Sequence, residues 1–253
     1  MLARLFIAIL LCFSFTARSQ EVTIAAASDL KFALDEVLKA YEAHTGQRLR
    51  VSYGSSGNFA RQIAQGAPFD MFLSADESYV ADLARRGLTS DEGLLYAVGH
   101  VVLFVPLESP VKADADLKDL RAAIADGRLK KLAIANPEFA PYGRAARDVL
   151  QTNRLWEAVQ DKLVLGENVS QAAQFAASGS AQAGIFALSL AMSPNFANAG
   201  AYVILPADWH APLRQRMVLL KRGVDRARPF YNYMQQPAAR AILKRYGFAL
   251  PGD

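Results

Sequence analysis

Cysteine is almost absent from this chain of 253 residues, and the single one, Cys12, lies inside an apolar run near the N-terminus. Arg4 precedes that run, which extends over residues 5–15 and is shorter than the roughly 20 residues that span a bilayer. Small residues at positions 17 and 19 favour cleavage before Gln20. We therefore predict a signal peptide over residues 1–19 and a mature chain without cysteine, which suits export to the oxidising periplasm.

A second long apolar run is also absent, so we predict no membrane insertion after cleavage. The chain has no long basic run either, because its lysines and arginines are spread over the surfaces of predicted helices. Removal of Arg4 and Arg18 with the signal lowers the formal net charge from +4 to about +2. This near balance argues against a nucleic-acid partner.

Common motifs of catalytic and cofactor sites are absent as well. The chain contains no Gly-x-Ser-x-Gly, no phosphate-binding P-loop and no Gly-x-Gly-x-x-Gly. His44, His100 and His210 are isolated and lack the paired spacing of a zinc site. We predict no cofactor and no directly coordinated metal. One enzymatic alternative remains, because Ser28 and Lys31 have the Ser-x-x-Lys spacing of serine acyl-enzymes, although the Ser-Asp-Asn and Lys-Thr-Gly elements of those enzymes do not occur.

Short apolar runs alternate with amphipathic segments along the whole chain, which is typical of an α/β protein with mostly parallel sheets covered on both faces. In the first series we predict strands at Val22–Ala27, Leu49–Tyr53 and Met71–Leu73, with helices at Leu30–Tyr41 and Phe59–Gln65. In the second we predict strands at Leu132–Ala135, Leu163–Leu165, Ala183–Ala187 and Tyr202–Leu205, with helices at Gly143–Gln151 and Ser170–Ser178.

Two further segments connect these series. The apolar run Val98–Val105 is predicted to carry the chain from one lobe to the other, and Met217–Leu220 is predicted to return it. The tail over Arg226–Tyr246 is predicted to be helical, in two pieces broken at Pro237.

Four turns between a strand and a helix carry small or neutral donor residues. They are Ser28-Asp29, Ser55-Ser56-Gly57, Pro141-Tyr142-Gly143 and Asn168-Val169-Ser170. The first backbone N–H groups of a helix have no partner within the helix, and the helix dipole adds partial positive charge there. Such turns are suited to an anion, although each one taken alone also fits an ordinary helix cap.

The order and spacing of several further motifs resemble those of the molybdate-binding proteins of ABC importers, over essentially the whole mature chain. These motifs are Ala25-Ala26-Ala27-Ser28, Gly54-Ser55-Ser56, Ala60-Arg61-Gln62-Ile63, Gly66-Ala67-Pro68-Phe69-Asp70, Leu73-Ser74-Ala75-Asp76, Asn136-Pro137-Glu138, Pro141-Tyr142-Gly143, Glu167-Asn168-Val169 and Lys244-Arg245-Tyr246-Gly247-Phe248.

The resemblance implies the type II periplasmic binding protein fold, in which two α/β lobes are joined by a hinge and the ligand lies in the cleft between them. On this basis we expect lobe I over residues 20–98 and 214–253 and lobe II over residues 99–213. The resemblance also implies a monomeric, non-enzymatic protein that captures molybdate or tungstate and delivers it to an ABC permease and its ATPase. Its ligand contacts are then Ser28, Ser56, Tyr142 and Val169, which hold molybdenum or tungsten as the oxyanion.

Two positions differ from that pattern. Some members of the family have a ligand-contacting tyrosine where this chain has Ala187, so we expect the hydroxyl of Tyr142 to replace it. Asp29 would repel a dianion, and we expect its carboxylate to point away and cap its own helix. Sulfate, phosphate or chromate as the cargo, and a sensory protein without a transporter, remain alternatives.

Neutral donors are sufficient to bind such an anion. Hydrogen bonds to a charged acceptor contribute about 1.5 to 3 kcal/mol each, so about six or seven support micromolar binding. Lys31 and Arg61 lie close in sequence to the proposed donors, but we interpret them as solvated charges on helix faces.

Overall fold

The computed structural model describes residues 21–252, so the predicted signal peptide lies outside the described residues. The strands are β1 Thr23–Ala27, β2 Arg50–Gly54, β3 Met71–Ser74, β4 Leu94–Gly99, β5 Val101–Pro106, β6 Leu132–Ala135, β7 Leu163–Gly166, β8 Ala183–Ala187, β9 Gly200–Ile204 and β10 Leu213–Leu219. The helices are α1 Lys31–Thr45, α2 Ser56–Ala64, α3 Glu77–Arg85, α4 Lys118–Ala125, α5 Pro141–Thr152, α6 Trp156–Val159, α7 Val169–Ala177, α8 Leu188–Ala191, α9 Val224–Tyr233 and α10 Pro237–Arg245.

The strands form two sheets of five. One has the order β2-β1-β3-β10-β4 and the other the order β7-β6-β8-β5-β9. We call each sheet with its covering helices a lobe, the first with α1–α3, α9 and α10, and the second with α4–α8. In each sheet two strand pairings are parallel and two are antiparallel. In each sheet four strands run in one direction and one strand, β10 or β5, runs against them. The prediction of mostly parallel sheets is therefore confirmed for strand direction, although half of the pairings are antiparallel.

The antiparallel pairings arise where the chain changes lobes. A parallel pair needs a crossover connection, usually a helix, between its strands. By contrast, β5 and β10 enter their sheets from the other lobe, so neither follows such a crossover. Each then pairs antiparallel with both of its neighbours.

The chain passes between the lobes at two places. Only His100 separates β4 of the first sheet from β5 of the second, and the return lies between β9 and β10. The prediction that Val98–Val105 carries the chain across is thus confirmed, although this run belongs to two strands. The return strand begins at Leu213, before the predicted Met217, because Arg214 and Arg216 interrupt its apolar pattern.

Both faces of the first sheet are buried. Ile24 and Ala26 contribute to one hydrophobic cluster, whereas Ala25 between them contributes to another. Successive side chains of a strand point to opposite faces, so helices must cover both sides. The second lobe has its own core, which includes Val101–Val105 and Leu132–Ala135.

The tail confirms the prediction of two helical pieces, α9 and α10, although Pro237 begins the second rather than interrupting one helix. Proline is tolerated at this position because the first N–H of a helix has no partner within it. Sequence reasoning missed α3 and α4. Within residues 21–252, no helix has both the length and the apolar character that a membrane span requires.

Candidate functional site

The four turns that carry neutral donors meet at one place between the lobes. Ser28 begins a short 3₁₀ helix, Ser56 begins α2, Pro141 begins α5 and Val169 begins α7. Together they line one small cavity. Its lining consists of Ala27, Ser28, Asp29, Gly54, Ser55, Ser56, Ala75, Ala140, Pro141, Tyr142 and Val169. The structure thus brings together all four predicted contact residues.

This convergence follows from the strand register. The last residues of β1 and β2, Ala27 and Gly54, are partners in the first sheet. Ala135 and Gly166 end β6 and β7 in the same way in the second sheet. Parallel neighbours place their carboxyl ends at one edge, and in open α/β sheets ligands bind beyond such edges. The two edges face each other across the cavity.

The size of the cavity is suited to a small ligand. The empty space between its lining atoms is about 180 Å³ when space open to solvent is included. That upper limit is too small for a peptide or a nucleotide.

Backbone N–H groups supply part of the donor set. Ser56, Tyr142 and Val169 each lie in the first turn of a helix, where N–H groups have no partner within the helix. Within the described chain these three N–H groups donate no hydrogen bond to a protein acceptor. They are therefore available to a ligand in the cavity.

The two serine hydroxyls are also arranged as donors. The Oγ of Ser56 accepts a hydrogen bond from the N–H of Ala75 at 3.0 Å. The Oγ of Ser28 accepts from the N–H of Ser170 at 3.3 Å. Because a hydroxyl has one proton and its oxygen is already engaged, each proton is free to be donated to a ligand oxygen. A ligand that only accepts hydrogen bonds matches this pattern.

No lysine or arginine is among the residues that line the cavity. The ammonium group of Lys31 is paired with Asp35 and lies 4.9 Å from the ring centroid of Tyr53. Arg61 donates to Asn58 and lies over the ring of Phe139, at 5.8 Å from its centroid. The interpretation of both residues as charges outside the site agrees with these contacts. An anion would be held by neutral groups alone.

The expectation for Asp29 is wrong. No side-chain hydrogen bond caps the 3₁₀ helix that contains it or the following α1. The carboxylate is instead buried, and its Oδ2 accepts a hydrogen bond from Nε2 of Gln215 at 2.5 Å. Its Oδ1 is buried without a hydrogen-bond partner in the described chain. Burial outweighs the hydrogen bonds from Gln215 and Tyr142 and raises the pKa of Asp29 to about 6.

The hydroxyl of Tyr142 belongs to the same buried cluster. It accepts from Nε2 of Gln215 at 3.2 Å and lies beside Asp29, while the hydroxyl of Tyr96 donates to Oε1 of Gln215 at 2.7 Å. The Tyr142 side chain therefore has polar partners within the protein. This favours its backbone N–H, rather than its hydroxyl, as the contact to a ligand.

Sequence reasoning missed Gln215, although a signal for it was present. In β10 the residues Leu213, Gln215 and Met217 are buried, whereas Arg214 between them is exposed. A polar residue on the apolar face of an alternating strand needs a buried partner. Here the partner is Asp29, which follows β1 and is far from Gln215 in the sequence.

Replacing Asp29 with asparagine is expected to stabilise the ligand-free protein above pH 7. The pKa of an aspartate in an unfolded chain is near 4, about two pH units below the folded value of about 6, which corresponds to about 3 kcal/mol. A raised folded pKa gives stability that is fully present below pH 4 and is lost as the pH rises through 6. Denaturant unfolding of both proteins from pH 4 to pH 8 measures this.

Asp208→Asn is the matched control, because Asp208 is exposed. The free energy of unfolding of the Asp29→Asn variant should exceed that of the wild type by at most about 3 kcal/mol above pH 7 and by little at pH 4. An equal difference from the wild type at both pH values would contradict the burial argument.

The lobes are in contact on both sides of the cavity. On one side the hydroxyls of Ser170 and Ser189 donate to the backbone oxygens of Ser28 and Asp29, at 2.8 and 2.7 Å. On the other side the N–H of Gly57 donates to the backbone oxygen of Phe139 at 2.9 Å. The cleft is therefore closed in this structure.

Comparisons with known proteins agree with this architecture. Residues 22–249 match the profile of a family described as "Bacterial extracellular solute-binding protein". The molybdate-binding protein ModA of Azotobacter vinelandii is 36% identical over 237 residues, covering 92% of each chain. A molybdate-binding protein ModA of Rhodobacter capsulatus is 34% identical over 245 residues, covering 96% of this chain and 93% of that protein.

Solved structures show the same fold. The periplasmic molybdate-binding protein of Azotobacter vinelandii is 31% identical, with a TM-score of 0.82 over 91% of this chain and 100% of that one. A sulfate-binding protein of Mycobacterium tuberculosis is 18% identical, with a TM-score of 0.73 over 92% of this chain and 88% of that one. At that identity the second likeness concerns the fold alone.

Proposed function

Because the chain belongs to the bacterial extracellular solute-binding protein family, we propose that it captures molybdate or tungstate in the periplasm and delivers it to an ABC permease and its ATPase. The observation that carries this proposal is the convergence of neutral donors from four helix starts on one small cavity without a lysine or arginine. The names of the relatives supply the identity of the anion.

The proposed contacts are the hydroxyls of Ser28 and Ser56 and the backbone N–H groups of Ser56, Tyr142 and Val169. Such donors match a fully ionised oxyanion, whose oxygens only accept hydrogen bonds. Molybdenum or tungsten then stays inside its oxygen shell and has no protein side chain as a direct ligand. We propose no other cofactor.

The two lobes give a physical basis for delivery. We propose that residues 20–98 with 214–253, and residues 99–213, move as two bodies about the crossings near His100 and between β9 and β10. A ligand that bridges both lobes favours the closed state, which lets a transporter distinguish loaded from empty protein. We propose that the carrier acts as a monomer, exported by the signal peptide over residues 1–19.

A catalytic role for Ser28 has less support. Its hydroxyl oxygen accepts from the N–H of Ser170, and the ammonium group of Lys31 is hydrogen bonded to Asp35. A serine nucleophile needs a base within hydrogen-bond reach, and neither contact supplies one. We therefore propose binding rather than catalysis.

We expect calorimetric titration of the signal-free protein to give micromolar or tighter affinity for molybdate and tungstate. The affinity for sulfate should be lower by about 100-fold or more. The smaller sulfate leaves some donors of the closed cavity unpaired, and each lost hydrogen bond to a charged acceptor weakens binding by about 1.5 to 3 kcal/mol. Phosphate and chromate complete the series. Tighter binding of sulfate or phosphate than of molybdate would overturn the proposed ligand while leaving the anion site intact.

A further inference from the structure

One rim of the closed cleft carries a charged contact between the lobes that lies outside the cavity. Arg144, on α5 of the second lobe, donates from Nη1 to the hydroxyl of Tyr79 at 2.7 Å and from Nη2 to Oδ2 of Asp76. Both acceptors belong to the first lobe, at the start of α3. None of the three residues lines the cavity. Their role is therefore separate from contact with the anion.

The carboxylate of Asp76 is held in place before Arg144 reaches it. The other carboxylate oxygen of Asp76, Oδ1, caps α3 by accepting from the N–H of Ser78 at 2.8 Å. The guanidinium of Arg144 also lies 5.3 Å from the centroid of the Tyr79 ring. A pre-positioned carboxylate reduces the entropy lost when the contact forms.

Partial burial strengthens this contact relative to an ordinary surface ion pair. The side chains of Arg144 and Asp76 are 29% and 27% exposed, so water screens them only in part. Exposed pairs contribute little, whereas a charge-assisted hydrogen bond removed from water is stronger. The burial of Arg144 is compensated by two acceptors from the opposite lobe.

The position of Arg144 couples this contact to the anion site. It lies two residues after Tyr142, in the first turns of α5, whose N-terminal N–H groups face the cavity. Any opening of the lobes that withdraws Tyr142 from the first lobe must also withdraw Arg144 from Asp76. The contact therefore exists only while the cleft is closed.

We propose that Arg144 is a latch that holds the lobes closed through Asp76 and Tyr79 and thereby sets how long the bound anion is retained. This inference rests on the proposed function, because it concerns release from the same cleft. Opening breaks the latch, so its loss accelerates release. Capture begins from the open state, where the latch is not formed, and its rate depends little on Arg144.

The central test compares Arg144→Met with Arg147→Met by stopped-flow mixing with molybdate. Methionine keeps most of the apolar stem and removes the charge. Arg147 lies one turn further along α5 and has no ion pair within residues 21–252, so it controls for the lost charge. We expect the Arg144 variant to release molybdate about tenfold faster, with association unchanged within about twofold. The Arg147 variant should match the wild type.

Two milder variants separate a latch from a general loss of structure. Arg144→Lys keeps the charge and should restore part of the slow release, whereas Tyr79→Phe removes one acceptor and should accelerate release less than Arg144→Met does. In the double variant Arg144→Met with Tyr79→Phe, the two effects should combine to less than the product of the single effects, because they break one contact. If Arg144→Met does not fold, the release rates of Arg144→Lys and Tyr79→Phe still test the latch.

The failures of the two proposals are distinguishable. A wild-type protein that binds no molybdate would refute the proposed function. A wild type that binds, with Arg144→Met and Arg147→Met releasing at equal rates, would refute the latch alone.

Discussion

Replacing Gly57 with alanine is expected to weaken molybdate affinity by about 100-fold or more without destabilising the ligand-free protein. A Cβ at this position would lie 2.6 Å from the backbone oxygen of Phe139 and 2.7 Å from the hydroxyl of Tyr79. Phe139 belongs to the opposite lobe, and a backbone oxygen cannot move aside as a flexible side chain can. The added methyl group should therefore hold the cleft partly open.

The magnitude follows from the donors that an open cleft separates. An anion then reaches the donors of one lobe only, either Ser28 and Ser56 or Tyr142 and Val169. Two lost hydrogen bonds at about 1.5 to 3 kcal/mol each correspond to about 100-fold or more in affinity. Gly57 lies within α2, where alanine favours the helix by up to about 1 kcal/mol over glycine, so the ligand-free variant should unfold at the same or a higher temperature.

Calorimetry, thermal unfolding and X-ray scattering test this together. The wild type should become more compact with saturating molybdate, and the Gly57→Ala variant should not. Gly46→Ala is unsuitable as a control, since Gly46 has a left-handed backbone with φ of 71°. Ala64→Gly, at the other end of α2, controls for helix propensity without approaching Phe139. A Gly57→Ala protein that binds molybdate as tightly as the wild type would show that this closed contact is not needed for capture.

Removing the Ser56 hydroxyl is the second change with a large expected effect. Ser56→Ala deletes a donor to a charged acceptor, which weakens binding by about 1.5 to 3 kcal/mol, or about 10- to 100-fold. It also leaves the N–H of Ala75 without its acceptor, since that N–H donates to the Ser56 oxygen at 3.0 Å. A buried donor without a partner costs about 1 to 3 kcal/mol of folding stability. Affinity and stability should therefore fall together.

Ser28→Ala provides the informative comparison. It removes a hydroxyl with the same proposed role, but the N–H that loses its acceptor belongs to Ser170 of the other lobe. The loss of affinity should be similar, while the effect on the first lobe's stability should be smaller. Ser180→Ala, at an exposed position of the second lobe, controls for a serine substitution. Affinity for molybdate that is unchanged in both Ser28→Ala and Ser56→Ala would contradict the proposed donor set.

Local patterns predicted the elements that present the site. Ser56, Pro141 and Val169 follow apolar strands and begin helices, and the preference of serine, asparagine and proline for helix starts is a local property. The helices α3 and α4 were not predicted, although each carries apolar residues on one face. The return strand β10 was predicted too short, because Arg214 and Arg216 alternate with its buried residues.

The network around Asp29 lay beyond sequence reasoning. An aspartate at the start of a predicted helix is typical of a helix cap. No local pattern distinguishes that role from a buried hydrogen bond with Gln215, which lies 186 positions further along the chain. The role of Tyr142 differs from the prediction for the same reason, since its hydroxyl meets Gln215 of β10 and Asp29 of the 3₁₀ helix, both distant in sequence. Because this chain has Ala187 where some members of the family have a tyrosine, the sequence predicts that Tyr142 supplies the hydroxyl instead. In the structure Ala187 does not line the cavity.

The sequence by itself determined the two α/β series, the succession of strands and helices along the chain, and the neutral donors of the turns. Periodicity, capping and turn preferences act over a few neighbouring residues. Only the tertiary structure decided which strands pair antiparallel, and that the Oγ atoms of Ser28 and Ser56 already accept hydrogen bonds from backbone N–H groups. It also decided that Arg144 meets Asp76 across the cleft. These features depend on groups that are far apart in the chain and come into contact when the lobes close. Their energies are set by burial and distance, which no local pattern encodes.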